Sequence, residues 1–149
     1  MLAKVKNTEL SSMRKIIDFN VATLASLFIL GILALFHIAI LMGIVLFDYV
    51  PIEFLWGGQM KTVTQLVNFE IVSLLTTVIF IFLLLIRSKW INLPKLLGVT
   101  RIVMWMVFVL FLLNTIGNGL SKTTFERAFA IISGVLALLF LRIAIEKKG

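Results

Sequence analysis

Apolar residues in this chain run together in four long blocks, at about residues 21–47, 66–86, 102–120 and 125–145, with charged positions concentrated between them. Each block is close to or above the roughly 20 residues that cross a bilayer core as a helix, with some tilt. The connections are short enough that consecutive helices should run antiparallel. The pattern therefore predicts an all-α, polytopic membrane protein, a single four-transmembrane-helix antiparallel bundle over residues 1–149 with no second soluble domain. The first block exceeds the apolar core of a cleaved signal, which runs about 7–15 residues, and reads as a retained span. The first and third blocks share no polar positions, so an inverted repeat within the chain is not supported.

Composition agrees: the chain is 61% hydrophobic and 14% charged, against about half and about a quarter in a soluble domain. The absence of cysteine excludes disulfide exchange, thiolate metal sites and a cysteine nucleophile. A single histidine is too few for a usual zinc site. There is no phosphate loop, nucleotide motif or Ser-His-Asp order. No metal and no cofactor are expected, and an enzyme is the lesser expectation.

Charge sets the expected orientation. Of the 14 Lys and Arg, eleven precede the first block, lie between the second and third, or close the chain, while Lys61, Lys122 and Arg127 fall on the other side. Basic residues accumulate on the cytoplasmic side, so both termini are expected there, and the bacterial inner membrane is the expected location. This topology is a sufficient cause for the net charge of +7, and nucleic acid is not an expected partner. Residues 1–20 carry Leu10, Met13, Ile16, Ile17 and Phe19 near helical spacing, and read as an interfacial amphipathic segment. Trp90, among basic residues, looks like an interfacial anchor.

A polar side chain within the bilayer is costly unless it faces protein or water, so such residues are the functional candidates. The cytoplasmic half of the blocks offers little beyond Arg142, close enough to the helix end to snorkel. The other half is richer. Glu70, Ser73 and Thr77 share one face of the second helix, Asn114, Asn118 and Ser121 one face of the third, and His37 lies on the first beside the small Ala34. Counted at 1.5 Å per residue, Glu70, Asn114 and His37 sit at overlapping depths, about 6 to 15 Å below the helix ends. A shared, outward-opening pocket is the economical explanation. The competing structural readings are cross-helix hydrogen bonds for the asparagines, a packed His37, and Lys61 or Arg127 as the partner of Glu70. Glu126 is discounted, because Thr123-x-x-Glu126 before an apolar block is a capping box.

The connection 48–65 is long and unusually apolar, so it should lie across the bundle mouth, as an extracytoplasmic loop or lid, rather than stand in water. Trp56 would sit at headgroup level and Gly57-Gly58 would make the turn. As a lid the loop would contribute Asp48, Trp56 or Gln59. Asp48-Tyr49, Leu55-Trp56-Gly57-Gly58-Gln59-Met60, Phe69-Glu70 and Leu113-Asn114-Thr115-Ile116-Gly117-Asn118 together resemble a group of small four-span bacterial integral membrane proteins. The resemblance implies no activity. It implies that Trp56, Gly57, Gly58, Glu70 and Asn114 form a set.

Three functions compete. In the first, Glu70, Asn114, His37, Asn118, Ser73 and Trp56 bind or transport a small molecule, lipid or ion, with His37 a pH-sensitive neighbour. In the second, the chain is an accessory subunit of a larger membrane complex. In the third, His37 and Glu70 act as an intramembrane acid/base pair on a lipid-like substrate. Membrane lipids are expected partners in every case. Ala39-x-x-x-Gly43, Ala130-x-x-x-Gly134 and Ser133-x-x-x-Ala137 allow close helix packing, within the chain or in a homodimer.

Overall fold

The computed structural model describes residues 17–146, and the interfacial segment expected at the N-terminus lies largely outside them. Four helices carry the fold: α1 (Phe19–Phe47), α2 (Val63–Arg87), α3 (Leu97–Gly119) and α4 (Thr124–Ala144). Short 3-10 turns at Trp56–Gly58 and Pro94–Leu96 precede α2 and α3. All four spans are long and apolar enough to cross a membrane, so the chain is an integral membrane protein of the all-α class. One end of the bundle holds the α1–α2 loop and the α3–α4 turn and is called the loop end. The other, the basic end, holds the α2–α3 connection, the start of α1 and the end of α4.

Local sequence starts the helices. The Asp18 carboxylate accepts the Asn20 N–H at 2.7 Å, and the Thr62 hydroxyl accepts the Gln65 N–H at 3.2 Å. The Gln65 side chain returns to the Lys61 N–H at 2.9 Å, so donors otherwise orphaned at the helix start are satisfied by neighbours. At α4 the expected cap forms: Thr123 accepts from the Glu126 N–H at 3.3 Å, while the Ser121 hydroxyl donates to the Glu126 carboxylate and accepts from the Thr123 N–H at 3.3 Å. Helix α3 starts five positions before the apolar block, because Thr100 and Arg101 join its first turns.

Neighbours around the bundle follow chain order, with α4 closing back onto α1, and the extent of contact differs sharply between pairs. The α3–α4 pair is the most intimate. Small residues explain it: Ser133 and Ala137 are buried, a Cβ at Gly134 would meet Thr115 at 3.5 Å, and the Thr115 hydroxyl donates to Ser133 at 3.2 Å. The fourth helix's small-residue spacing thus serves packing within the chain. The α2–α3 contact is the thinnest of the four.

Two apolar clusters form. The larger, around Leu30, Leu84, Met104, Leu136, Phe140 and Ile143, fills the middle and the basic end. Arg142 does not snorkel: it is 4% exposed, and donates to the Ile17 carbonyl at 2.6 Å and to the Glu146 carboxylate at 3.0 Å. Arg87 donates to the Glu146 carbonyl and Arg101 to that of Ala144 at 3.4 Å. These arginines close the C-terminus of α4, where cationic donors complement the last carbonyls. The smaller cluster, Ile40, Leu55 and Leu66 with Phe36, Ile44 and Val50 against it, seats the α1–α2 loop on α1 and α2.

Candidate functional site

Between the two clusters lies a cavity of about 320 Å³ lined by all four helices and the loop. Its floor is apolar, from Leu33, Phe80, Phe111, Ile132 and Leu136. Phe36, Phe125 and Phe129 form an aromatic side wall, with ring centroids 5.0 to 6.1 Å apart. Polar groups gather toward the loop end: His37 from α1, Trp56 from the loop, Glu70, Ser73 and Thr76 from α2, Asn114 and Asn118 from α3, and Glu126 from α4.

Glu70 is the centre of this arrangement. It is 1% exposed, and a carboxylate so buried requires donors. His37 Nδ1 lies 2.6 Å from Oε2, and the Trp56 indole N–H donates to Oε1 at 2.9 Å. Both carboxylate oxygens therefore have partners, drawn from two other parts of the chain. With Glu70 ionised, Nδ1 is the nitrogen that carries hydrogen, and Nε2 is the acceptor nitrogen of the neutral ring. A carboxylate that fixes the tautomer and orientation of an imidazole is also the arrangement that orients histidine bases. The His37 side chain is 15% exposed, against the near-complete burial of Glu70, so the imidazole is the more accessible member of the pair.

The loop holds Trp56 in place at a conformational cost. Trp56 has φ +53°, a region unfavourable for a bulky residue, and such outliers cluster where the surrounding structure over-determines them. Here the indole is fixed by its bond to Glu70 and by an edge-on contact with Phe69, with centroids 5.3 Å apart. Gly58 has φ +65°, and a Cβ there would sit 3.3 Å from the Glu53 carbonyl. Asp48 serves elsewhere. It ends α1 in the left-handed conformation, with φ +53°, and is exposed, as is Gln59; of the three loop side chains expected over the pocket, only Trp56 lines it. Gly57 lies within the 3-10 turn.

The charged partners considered for Glu70 are used otherwise or stay outside. Arg127 donates to the Ser121 carbonyl at 3.0 Å and the Lys122 carbonyl at 3.2 Å, and Lys61 is exposed. Thr77 is turned back on its own helix, donating to the Ser73 carbonyl at 2.8 Å. Asn118 is half-buried and Asn114 exposed, and neither amide bonds across to another helix among the described residues. Sequence reading missed Thr76 and the aromatic wall, whose spacing within apolar blocks gives no signal apart from the rest. Among the described residues no group of three or more acidic, histidine or cysteine side chains could hold a metal ion. Comparison with protein-family models, curated proteins and solved structures gives no match.

Proposed function

We propose that this chain is a small membrane protein whose loop-end cavity binds or transports a small ligand, with the Glu70–His37 pair as its polar anchor. The observation that carries the reading is the placement of the pair: a buried carboxylate, bonded to the single histidine, beside a cavity that four helices share. A pair serving only to join α1 and α2 has no need of such a space. The volume, about 320 Å³, falls at the small end of the range for ligand sites, and mostly apolar walls with a few convergent polar groups are their usual make-up. In the orientation that the basic residues favour, the polar end of the cavity lies on the side away from the cytoplasm, and a bacterial inner membrane suits this arrangement.

The ligand is held against His37, with Asn114, Asn118 and Ser73 as hydrogen-bonding neighbours and Trp56 as the lid contact. The test is a thermal-shift panel of primary amines, polyols and short alkyl glycerols on purified protein. At least one class should stabilise the wild type and lose its effect in Glu70→Gln and His37→Gln. If no class stabilises the wild type, or the same class stabilises all three proteins equally, the pair is structural and an accessory role in a larger complex replaces this reading.

A further inference from the structure

We infer that the ligand is a single-chain amphiphile with an uncharged or cationic head, entering sideways from the bilayer between α2 and α3. This deepens the reading of the cavity as a ligand site and rests on it. The first observation is polarity along the cavity. Most of its polar groups lie toward the loop end; Thr77 and Ser133, lower down, donate to carbonyls of their own helices, and the floor at Leu33, Phe80 and Leu136 is apolar. From Glu126 to Leu136 along α4 this depth is about 15 Å at 1.5 Å per residue. A ligand polar throughout would leave its lower part unpaired, at a cost, whereas an alkyl chain suits the floor.

The second observation is the seam. The α2–α3 contact is the thinnest in the bundle, and the lipid-facing side of α3 carries a groove lined by Trp105, Met106, Val109 and Leu113. Leu110 and Asn114 border both the groove and the cavity, so the two spaces meet at these side chains. Asn114 is exposed there, about 7 to 8 Å below the end of α3, with no hydrogen-bond partner among the described residues. An amide in that position is expensive in lipid, and a passing or resting polar head removes the expense.

The third observation is charge. The cavity lining holds Glu70 and Glu126 and no Lys or Arg. A phosphate-bearing head would meet two carboxylates and no Lys or Arg side chain in the lining, and like charges in a low-dielectric site repel strongly. Hydroxyl and amine heads instead supply the donors that the His37 Nε2 and the amide oxygens of Asn114 and Asn118 accept.

The probe is a monoacylglycerol with a diazirine in its acyl chain, added to the protein in lipid nanodiscs and mapped by mass spectrometry. Labelling is expected on the cavity floor, at Phe80, Phe111 or Leu136. Unlabelled monolauroylglycerol or dodecylamine should compete, and lysophosphatidylglycerol should not. Asn114→Leu, at an exposed position, should lower floor labelling about tenfold, the worth of about 1.4 kcal/mol. Met106→Trp, which fills the groove outside the cavity, should slow labelling while leaving stabilisation by a water-soluble polyol or amine intact. Labelling confined to lipid-facing residues such as Val109 and Leu113, or equal competition by the anionic lipid, overturns the inference. If water-soluble compounds still stabilise the protein in a Glu70-dependent way, only the lateral amphiphile fails and the cavity remains a ligand site.

Discussion

The basic half and the loop half of this bundle share the same four helices but treat polar groups in opposite ways. At the basic end Arg87 and Arg142 are buried, and together with Arg101 they are spent on the carbonyls that end α4 and begin α1 and on one carboxylate. Phe140, Leu84 and Met104, all fully buried, fill the space between. At the loop end the helices stand around a cavity, and the buried Glu70 is satisfied by a loop tryptophan and a distant histidine. The first arrangement holds helices together. The second keeps a polar surface facing a space, which is costly in a membrane without a use.

The largest effects come from emptying the centre of either half. Phe140→Ala removes a ring stacked on Phe111, with centroids 5.7 Å apart, and should cost about 3 kcal/mol or more while leaving ligand response in place. Glu70→Ala strands the indole N–H and the imidazole, and losing one member of a buried pair should cost about 3–5 kcal/mol together with the ligand response. Denaturation of the purified protein followed by near-ultraviolet circular dichroism measures both. Equal retention of stability in Glu70→Ala would mean that the pair is not formed in the membrane.

Smaller effects sharpen the boundary at the lid. Trp56→Phe keeps the ring against Phe69 but loses the donor to Glu70, a hydrogen bond to a charged group worth about 1.5–3 kcal/mol. Gly58→Val forces a β-branched residue into a left-handed conformation, with its Cβ close to the Glu53 carbonyl, and should cost about 1–3 kcal/mol. In both variants protease sensitivity should rise within the loop and stay unchanged at the α2–α3 connection. Uniform sensitisation of the two ends would show that the halves do not respond separately. The orientation is checked by single introduced cysteines, feasible because the chain has none. A membrane-impermeant thiol reagent added outside should label position 59 or 122 and not position 89.

Four spans were legible because an apolar run of that length has few other uses, and the facing of Glu70 followed from helical spacing alone. Helix starts were less so. Thr100 and Arg101 looked like the end of a connection, yet the Arg101 guanidinium reaches a carbonyl on α4, so its charge does not stop the helix. The arginine closure of α4 was invisible because its acceptors are backbone carbonyls, which carry no sequence signature. The same holds for the partner of Glu70. Counted from the ends of their helices, His37 lies about 15 Å deep and Glu70 about 10 Å, yet the two touch, so α1 projects further into the loop end than α2. That offset comes from the seating of the loop on Ile40 and Leu66, a tertiary fact. Of the two places expected for Trp56, at headgroup level or as a lid contact over the pocket, its indole takes the second, turned inward to Glu70.

The central claim is that the loop half serves a ligand while the basic half serves the fold, and one paired measurement tests it most directly. The midpoint of thermal unfolding, with and without a stabilising compound, is determined for wild type, Glu70→Gln and Phe140→Ala. Glu70→Gln preserves the shape of the side chain but loses one charged acceptor, and should lower the ligand-free midpoint by the equivalent of about 1–3 kcal/mol, no more than Phe140→Ala does, while abolishing the ligand-induced shift. Phe140→Ala should lower the ligand-free midpoint and keep the shift. If the two properties fall together in both variants, or if Glu70→Gln retains the full shift, the division of labour between the halves is wrong.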